Sequence, residues 1–515
     1  MNSGNRSSEI KSNMEQAETA DEKTDPESSS SEIWPNMEQA ETADERTDPE
    51  SSSSEIKPNI KQAETANERA VPESSSSESL ADVMSEKSRQ GSTLSRRPSL
   101  SQALDSVALV KRGRHYTLQK QTTLKNSLLA SVGFLELANG CDFAANVFNK
   151  VPVPIYAVVL MALGGTVALS IIYFAVKDAL LSWRNLSLLR EERRYLREQK
   201  IRRKKDGQAV LSLDARLNVN FRETGTEAID RVGMEIFLGF GALCVGIGSF
   251  LAIGGANHKM YLASNLLSGY IGNTPSAIYG VANTAWSIYV WKRASRHSRT
   301  GTKELKPDLM KRLLKPRLRS VQVHSTINGL TGLVAGVAAL ITATRWWGYI
   351  ILLPCIISAV YCNFYWRNRL GYERPFIRHP PPMDVVSLLE ELETVASARQ
   401  ILDRNPVKPL NKLTSNSESI TTVIEFLVAN DLFEEFCVRL LADKDLSTAI
   451  LGDVGDEVTI TARGLLTLDE TCTSRILDVA QACVSDVGPA HFKYRQQYMM
   501  ETLGSYLCAA QVALP

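Results

Sequence analysis

Glu136 and Asp142 stand in the apolar stretch 126–149, where acids are costly. An ionisable group inside a bilayer is a functional candidate by default. The chemistry such acids offer is proton donation, as in an acid-initiated cyclase working on an apolar substrate. Their i, i+6 spacing places them on different faces of a helix, which weakens a shared catalytic role. The alternative is structural: the two acids would make 126–149 an interfacial helix rather than a span.

Other chemistry is hard to find. The six histidines, at 115, 258, 297, 324, 379 and 491, show no pair at metal-ligand spacing. The eight cysteines include no C-x-x-C and read as small buried apolar residues in a reducing compartment. Asp443-Lys444-Asp445 lacks the glycine and closing glutamate of a calcium loop. Gly246-x-Gly248 follows no strand, and there is no Walker loop, zincin signature or G-x-S-x-G elbow. Ser268-Gly269-Tyr270-Ile271-Gly272 lacks the sequence a potassium filter needs. No metal and no cofactor is expected.

The elements that would hold Glu136 and Asp142 are membrane helices. Residues 151–176 carry no charged side chain, and such a run, rising 1.5 Å per residue, crosses a hydrocarbon core of roughly 30 Å. Further spans are expected over 236–256, 274–291, 325–344 and 349–366. Glycines dominate the first of these, as close helix packing in lipid requires. Thr274 and Pro275 suit a helix start. The last two form a hairpin through Arg345-Trp346-Trp347-Gly348, whose tryptophans belong at a headgroup belt. Counting 126–149 makes six spans and keeps both tails on one side.

Charge orients them. Residues 177–205 hold eleven Lys or Arg against four acids, and residues 292–319 hold eleven against two. By the positive-inside bias both lie in the cytosol, and so do the two termini. Leu180, Trp183, Leu186, Leu189 and Leu196 share a helical face within the first run. That segment is expected to be a basic amphipathic extension, with Arg193, Arg194, Arg202, Arg203, Lys204 and Lys205 contacting anionic lipid headgroups. Beside a span, the cluster Arg202 to Lys205 is not a nucleic-acid signal.

Residues 1–110 form a tail. Within it, 9–77 are three copies of a 23-residue unit marked by Met14 to Ala20, Met37 to Ala43 and Ile60 to Ala66. The units offer almost no apolar face for stacking, and their Ser, Pro and acids describe a disordered cytosolic tether. Arg96-Arg97-Pro98-Ser99 has the spacing basophilic kinases favour, and phosphate on Ser99 would add about two negative charges beside a basic segment. Residues 111–370 are the membrane region, and 371–515 a small helical cytosolic domain. There Asp384 caps one helix, 420–427 forms a second, Asp431 with Glu434 starts a third, and two more lie near 475–484 and 491–510. The expected fold class is all-α, multi-pass.

This plan of repeat-bearing tail, multi-pass region and helical cytosolic end resembles filamentous-fungal membrane proteins, some of which accompany enzymes of specialised metabolism such as indole-diterpene biosynthesis. The resemblance rests on architecture and transfers no site. It implies an accessory or scaffold protein of an endomembrane such as the endoplasmic reticulum, with membrane lipids and pathway enzymes as partners. A transporter or channel for a small or apolar solute, and a membrane-embedded cyclase-like enzyme, are the alternatives.

Overall fold

The computed structural model describes residues 106–113, 115–126, 134–148, 153–376, 383–405, 407–451, 457–468 and 470–513. The repeats and Ser99 lie outside the described residues. The chain divides into units 1–77 and 78–515, and every described residue belongs to the second.

The protein is all-α apart from short strands. Helix α1 (Leu135–Gly140) and α2 (Phe143–Val147) precede α3 (Ile155–Lys205), α4 (Leu211–Ile253), α5 (His258–Ser264), α6 (Asn273–Glu304), α7 (Pro307–Thr342) and α8 (Gly348–Leu370). The C-terminal part holds α9 (Val385–Arg404), α10 (Leu410–Leu413), α11 (Ile420–Ala429), α12 (Phe433–Leu440), α13 (Lys444–Leu451), α14 (Ala462–Leu465) and α15 (Glu470–Ala513). Four helices, α3, α4, α7 and α8, are long and apolar enough to cross a membrane.

Helix α3 is 51 residues long, roughly 75 Å, because no Gly or Pro interrupts it after Gly165. It stops at Asp206, where Gly207 takes a φ of 68° that a side chain would resist. Helix α4 returns antiparallel to it: Asn220 meets Glu192, Arg231 meets Asp178, and Gly246 meets Leu169. Helix α6 runs antiparallel to α7 in the same way. A Cβ on Gly280 would sit 2.3 Å from the Gly332 carbonyl oxygen, so the two backbones touch at the depth of the α7 span. The face of α6 carrying Ile278, Val281 and Ile288 is exposed, while Asn273, Ser276 and Asn283 point inward.

The expected continuous helix over 126–149 needs correction. The described part is two helices of 6 and 5 residues, about 9 Å and 8 Å long, broken at Cys141-Asp142. Asn126 and Asn146 nevertheless lie at opposite ends of α8. Asn126 Nδ2 donates to the Arg367 carbonyl at 3.1 Å near the end of α8, and Asn146 Nδ2 reaches the Tyr349 hydroxyl at 2.8 Å near its start. Irregular backbone at such depth is tolerated only where protein surrounds it, and α1 and α2 pack on α3, α4 and α8 through Ala138, Ala144 and Ala145.

The C-terminal helices share one core with the basic ends of the long helices. Val219 of α4, Ala294 of α6, and Leu314 and Leu318 of α7 belong to the same cluster as Leu388, Phe433, Phe436, Phe492 and Leu503. Asp384 caps α9 in a capping box with Ser387. Asp431 does not cap α12: it adopts φ 56° and Leu432 takes the cap position, so that Leu432 itself enters the core. The two helices expected near 475–484 and 491–510 are one helix, α15, which continues through Pro489. Burial of Cys483 and Val484 before the proline and Phe492 after it, in one core, outweighs proline's penalty within a helix.

Strands were not expected. β1 (Ser106–Arg112) pairs antiparallel with β2 (His115–Leu118) and with β5 (Glu457–Thr461), burying Val107 and Leu109. β3 (Thr123–Leu124) pairs with β4 (Arg374–Pro375).

Candidate functional site

Helices α3 and α4 leave the apolar zone as one antiparallel pair, and the acids between them need partners. Glu192 of α3 and Glu223 of α4 are each 1% exposed. Arg374 of β4 answers both: its two terminal nitrogens reach the two Glu192 oxygens at 2.7 Å each, and Nη2 lies 2.6 Å from Glu223 Oε2. Asn220 adds a donor to Glu192 at 2.8 Å, and the Tyr498 ring lies 4.6 Å from the guanidinium carbon. Burial alone would pull the Arg374 pKa down, but the two glutamates outweigh it and hold it well above its ordinary value. Close by, Glu501 of α15 accepts from Arg222 at 3.1 Å and faces Arg317 at 3.6 Å.

One to two turns deeper, α4 opens into a wide π turn over Thr226–Gly233. Such turns re-aim side chains and recur at functional sites. Here the turn aims Glu227 and Arg231 at α3 and puts Asp230 between α6 and α7. Arg231 bonds Asp178 at 3.2 Å and Glu227 at 3.0 Å, while the Tyr372 hydroxyl donates to Glu227 at 2.8 Å. Asn185 ties the N-terminal segment in, accepting from the Lys125 amide at 3.1 Å and donating to the Lys125 carbonyl at 2.9 Å.

Two small chambers flank Asp230. One, about 30 Å³, extends toward Trp286, His297, Arg317 and Glu501 at the basic end. The other, about 50 Å³, extends toward Glu136, Tyr279 and Asn283. Each has room for one or a few waters and not for an organic solute. His324, Asn328 and Trp366 line both.

The two acids singled out by sequence end in different places. Glu136 lines the deeper chamber. Asp142 is 0% exposed and bound on both oxygens, by the Tyr349 hydroxyl at 2.7 Å and by Asn146 at 2.8 Å. The structure does not bring them into one site. Of the basic residues, Arg193 stacks over the Phe221 ring at 5.3 Å, and Arg194 is exposed on α3. Arg202, Arg203, Lys204 and Lys205 end α3, roughly 40 Å along its axis past Val176. Lys177, Trp183 and Arg184, exposed on the same helix, stand nearer the apolar boundary.

Among the described residues no group of three His, Cys, Asp or Glu side chains could hold a metal ion. Sequence reasoning missed the site's main residues: Asp178, Glu192, Glu223, Glu227, Asp230, Arg231, Arg374 and Glu501. A signal was there. Acids and bases recur at 223, 227 and 231 along a helix that enters the apolar run 236–256 without a break, so one face had to bury them.

The chain matches no family model, no curated protein and no solved structure.

Proposed function

We propose that this chain is a non-catalytic accessory or scaffold protein of an endomembrane such as the endoplasmic reticulum, with both termini cytosolic, serving a specialised-metabolite pathway of the indole-diterpene type. The observation that carries the reading is the shared core. The C-terminal helices and the basic ends of the long helices bury one continuous apolar cluster, and Arg374 and Glu501 pin that cluster to α3, α4 and α7. A helical platform held rigidly to the membrane surface suits recruitment. The water-sized chambers weigh against a solute or terpene site, and Asp142, with both oxygens hydrogen-bonded, is poorly placed to donate a proton to substrate. Membrane lipids around the exposed apolar faces and pathway enzymes at the cytosolic surface are the partners this reading names.

Proximity labelling from a tag after Pro515, at native expression, tests it. Cytosolic-face enzymes of one pathway among the neighbours support the proposal. Luminal neighbours, or neighbours with no common pathway, overturn it.

A transporter is the second reading, favoured by one feature: α1, the first half of the broken segment, lines a chamber inside the bundle with Glu136, as discontinuous helices do in transporters. Solute flux into vesicles holding the purified protein would replace the scaffold reading with this one.

A further inference from the structure

Asp230 is the junction of the two chambers, and its surroundings leave a polar gap. Its Oδ1 and the Nε1 of Trp286 face each other short of full hydrogen-bond geometry, and neither atom has another partner among the described residues. Trp286 is 4% exposed and lines the chamber nearer the basic end. A buried donor and acceptor that stand close without a full bond, beside a cavity of about 30 Å³ that His297, Arg317 and Glu501 also line, leave room for a bridging water.

The charges around Asp230 are unevenly balanced. On its own helix stand Arg222, Glu227 and Arg231; Asp178 faces from α3 and Glu136 from α1; Tyr279, Arg293 and His297 lie on α6; Arg317 and His324 lie on α7; Glu501 lies on α15. Arg231 is engaged by Asp178 and Glu227, and Arg222 and Arg317 are engaged by Glu501. No Arg, Lys or His among the described residues forms an ion pair with Asp230.

We propose that the two chambers form one water-filled half-channel that admits protons from the basic end, with Asp230 as the proton acceptor and Glu136 next along the path. A hydronium ion in the first chamber gives its proton to Asp230 Oδ1, leaving water and a neutral carboxyl. From Asp230, water in the second chamber connects to Glu136. The ligand is a proton, which fits chambers too small for anything larger. The inference does not depend on the scaffold reading.

Infrared spectroscopy of the full-length protein in nanodiscs tests it. The expected result is a protonated-carboxyl carbonyl band that grows as the pH falls, shifts within minutes of transfer to D₂O, and weakens in Asp230→Asn. A band absent at every pH, insensitive to Asp230→Asn, or slow to exchange overturns the proposal. Should Asp230→Asn misfold, Asp230→Glu reads the same group: the exchanging band must move to the position of a protonated glutamate, and a band that stays in place refutes Asp230 as acceptor.

Discussion

Arg374 grips Glu192 with both terminal nitrogens at 2.7 Å, across 182 residues of chain. The fork geometry, with Glu223 as a second anion, joins the strand after the last long helix to the first two. Removing the arginine would leave two buried carboxylates uncompensated. Arg374→Met is expected to destabilise the protein by about 3–5 kcal/mol. Arg374→Lys, which keeps the charge but not the fork, should recover only part of this. Denaturant unfolding in mild detergent measures both, and a loss below about 1 kcal/mol for Arg374→Met would show that the clamp contributes little.

Glu501 makes the docking of α15 sensitive to acid. Burial pushes its pKa up, but Arg222 and Arg317 outweigh that and hold it at about 2 against an ordinary value of 4.5. A carboxylate with a depressed folded-state pKa stabilises the fold fully above its unfolded value and loses that contribution as pH falls through the folded one. Amide protection of α15 in hydrogen exchange should therefore be level above about pH 5 and decline below. Glu501→Gln should be less protected at neutral pH and should lack this acid-dependent decline. An identical decline in both proteins would assign the acid sensitivity to other groups.

Asp142 is buried and accepts hydrogen bonds on both carboxyl oxygens. Asp142→Ala removes the acceptor of the Tyr349 hydroxyl proton and one of the two acceptors of the Asn146 amide, whose bond to Tyr349 remains, and should cost about 1–3 kcal/mol. Asp142→Asn keeps an acceptor for Tyr349 and should cost less. Thermal unfolding of the two variants decides: equal losses would mean the hydrogen bonds are not what matters there.

Two glycines separate close packing from indifference. Gly280→Ala drives a methyl to 2.3 Å from the Gly332 carbonyl oxygen and should destabilise by about 1–3 kcal/mol by forcing α6 from α7. Gly239→Ala meets only the Ala175 Cβ at 3.9 Å and should be neutral or mildly stabilising. Reversal of that order in unfolding measurements would contradict the α6–α7 contact.

Much of the plan was legible in the chain itself. Charge-free runs such as 155–176, ended by blocks of Lys and Arg, determine helices of membrane-crossing length, because hydrophobic length and local charge are one-dimensional properties. The cap at Asp384 was equally local. Tertiary structure alone decided where the acids go. Glu136 and Asp142 stand six residues apart in sequence, yet one faces a chamber and the other is sealed by Tyr349, because the backbone breaks at Cys141-Asp142 and surrounding helices satisfy what a continuous helix would have satisfied itself. Likewise Arg374 and Glu192, or β1 and β5, are partners that no local pattern announces. A buried charge must find its counterion and an edge strand its neighbour wherever the fold places them.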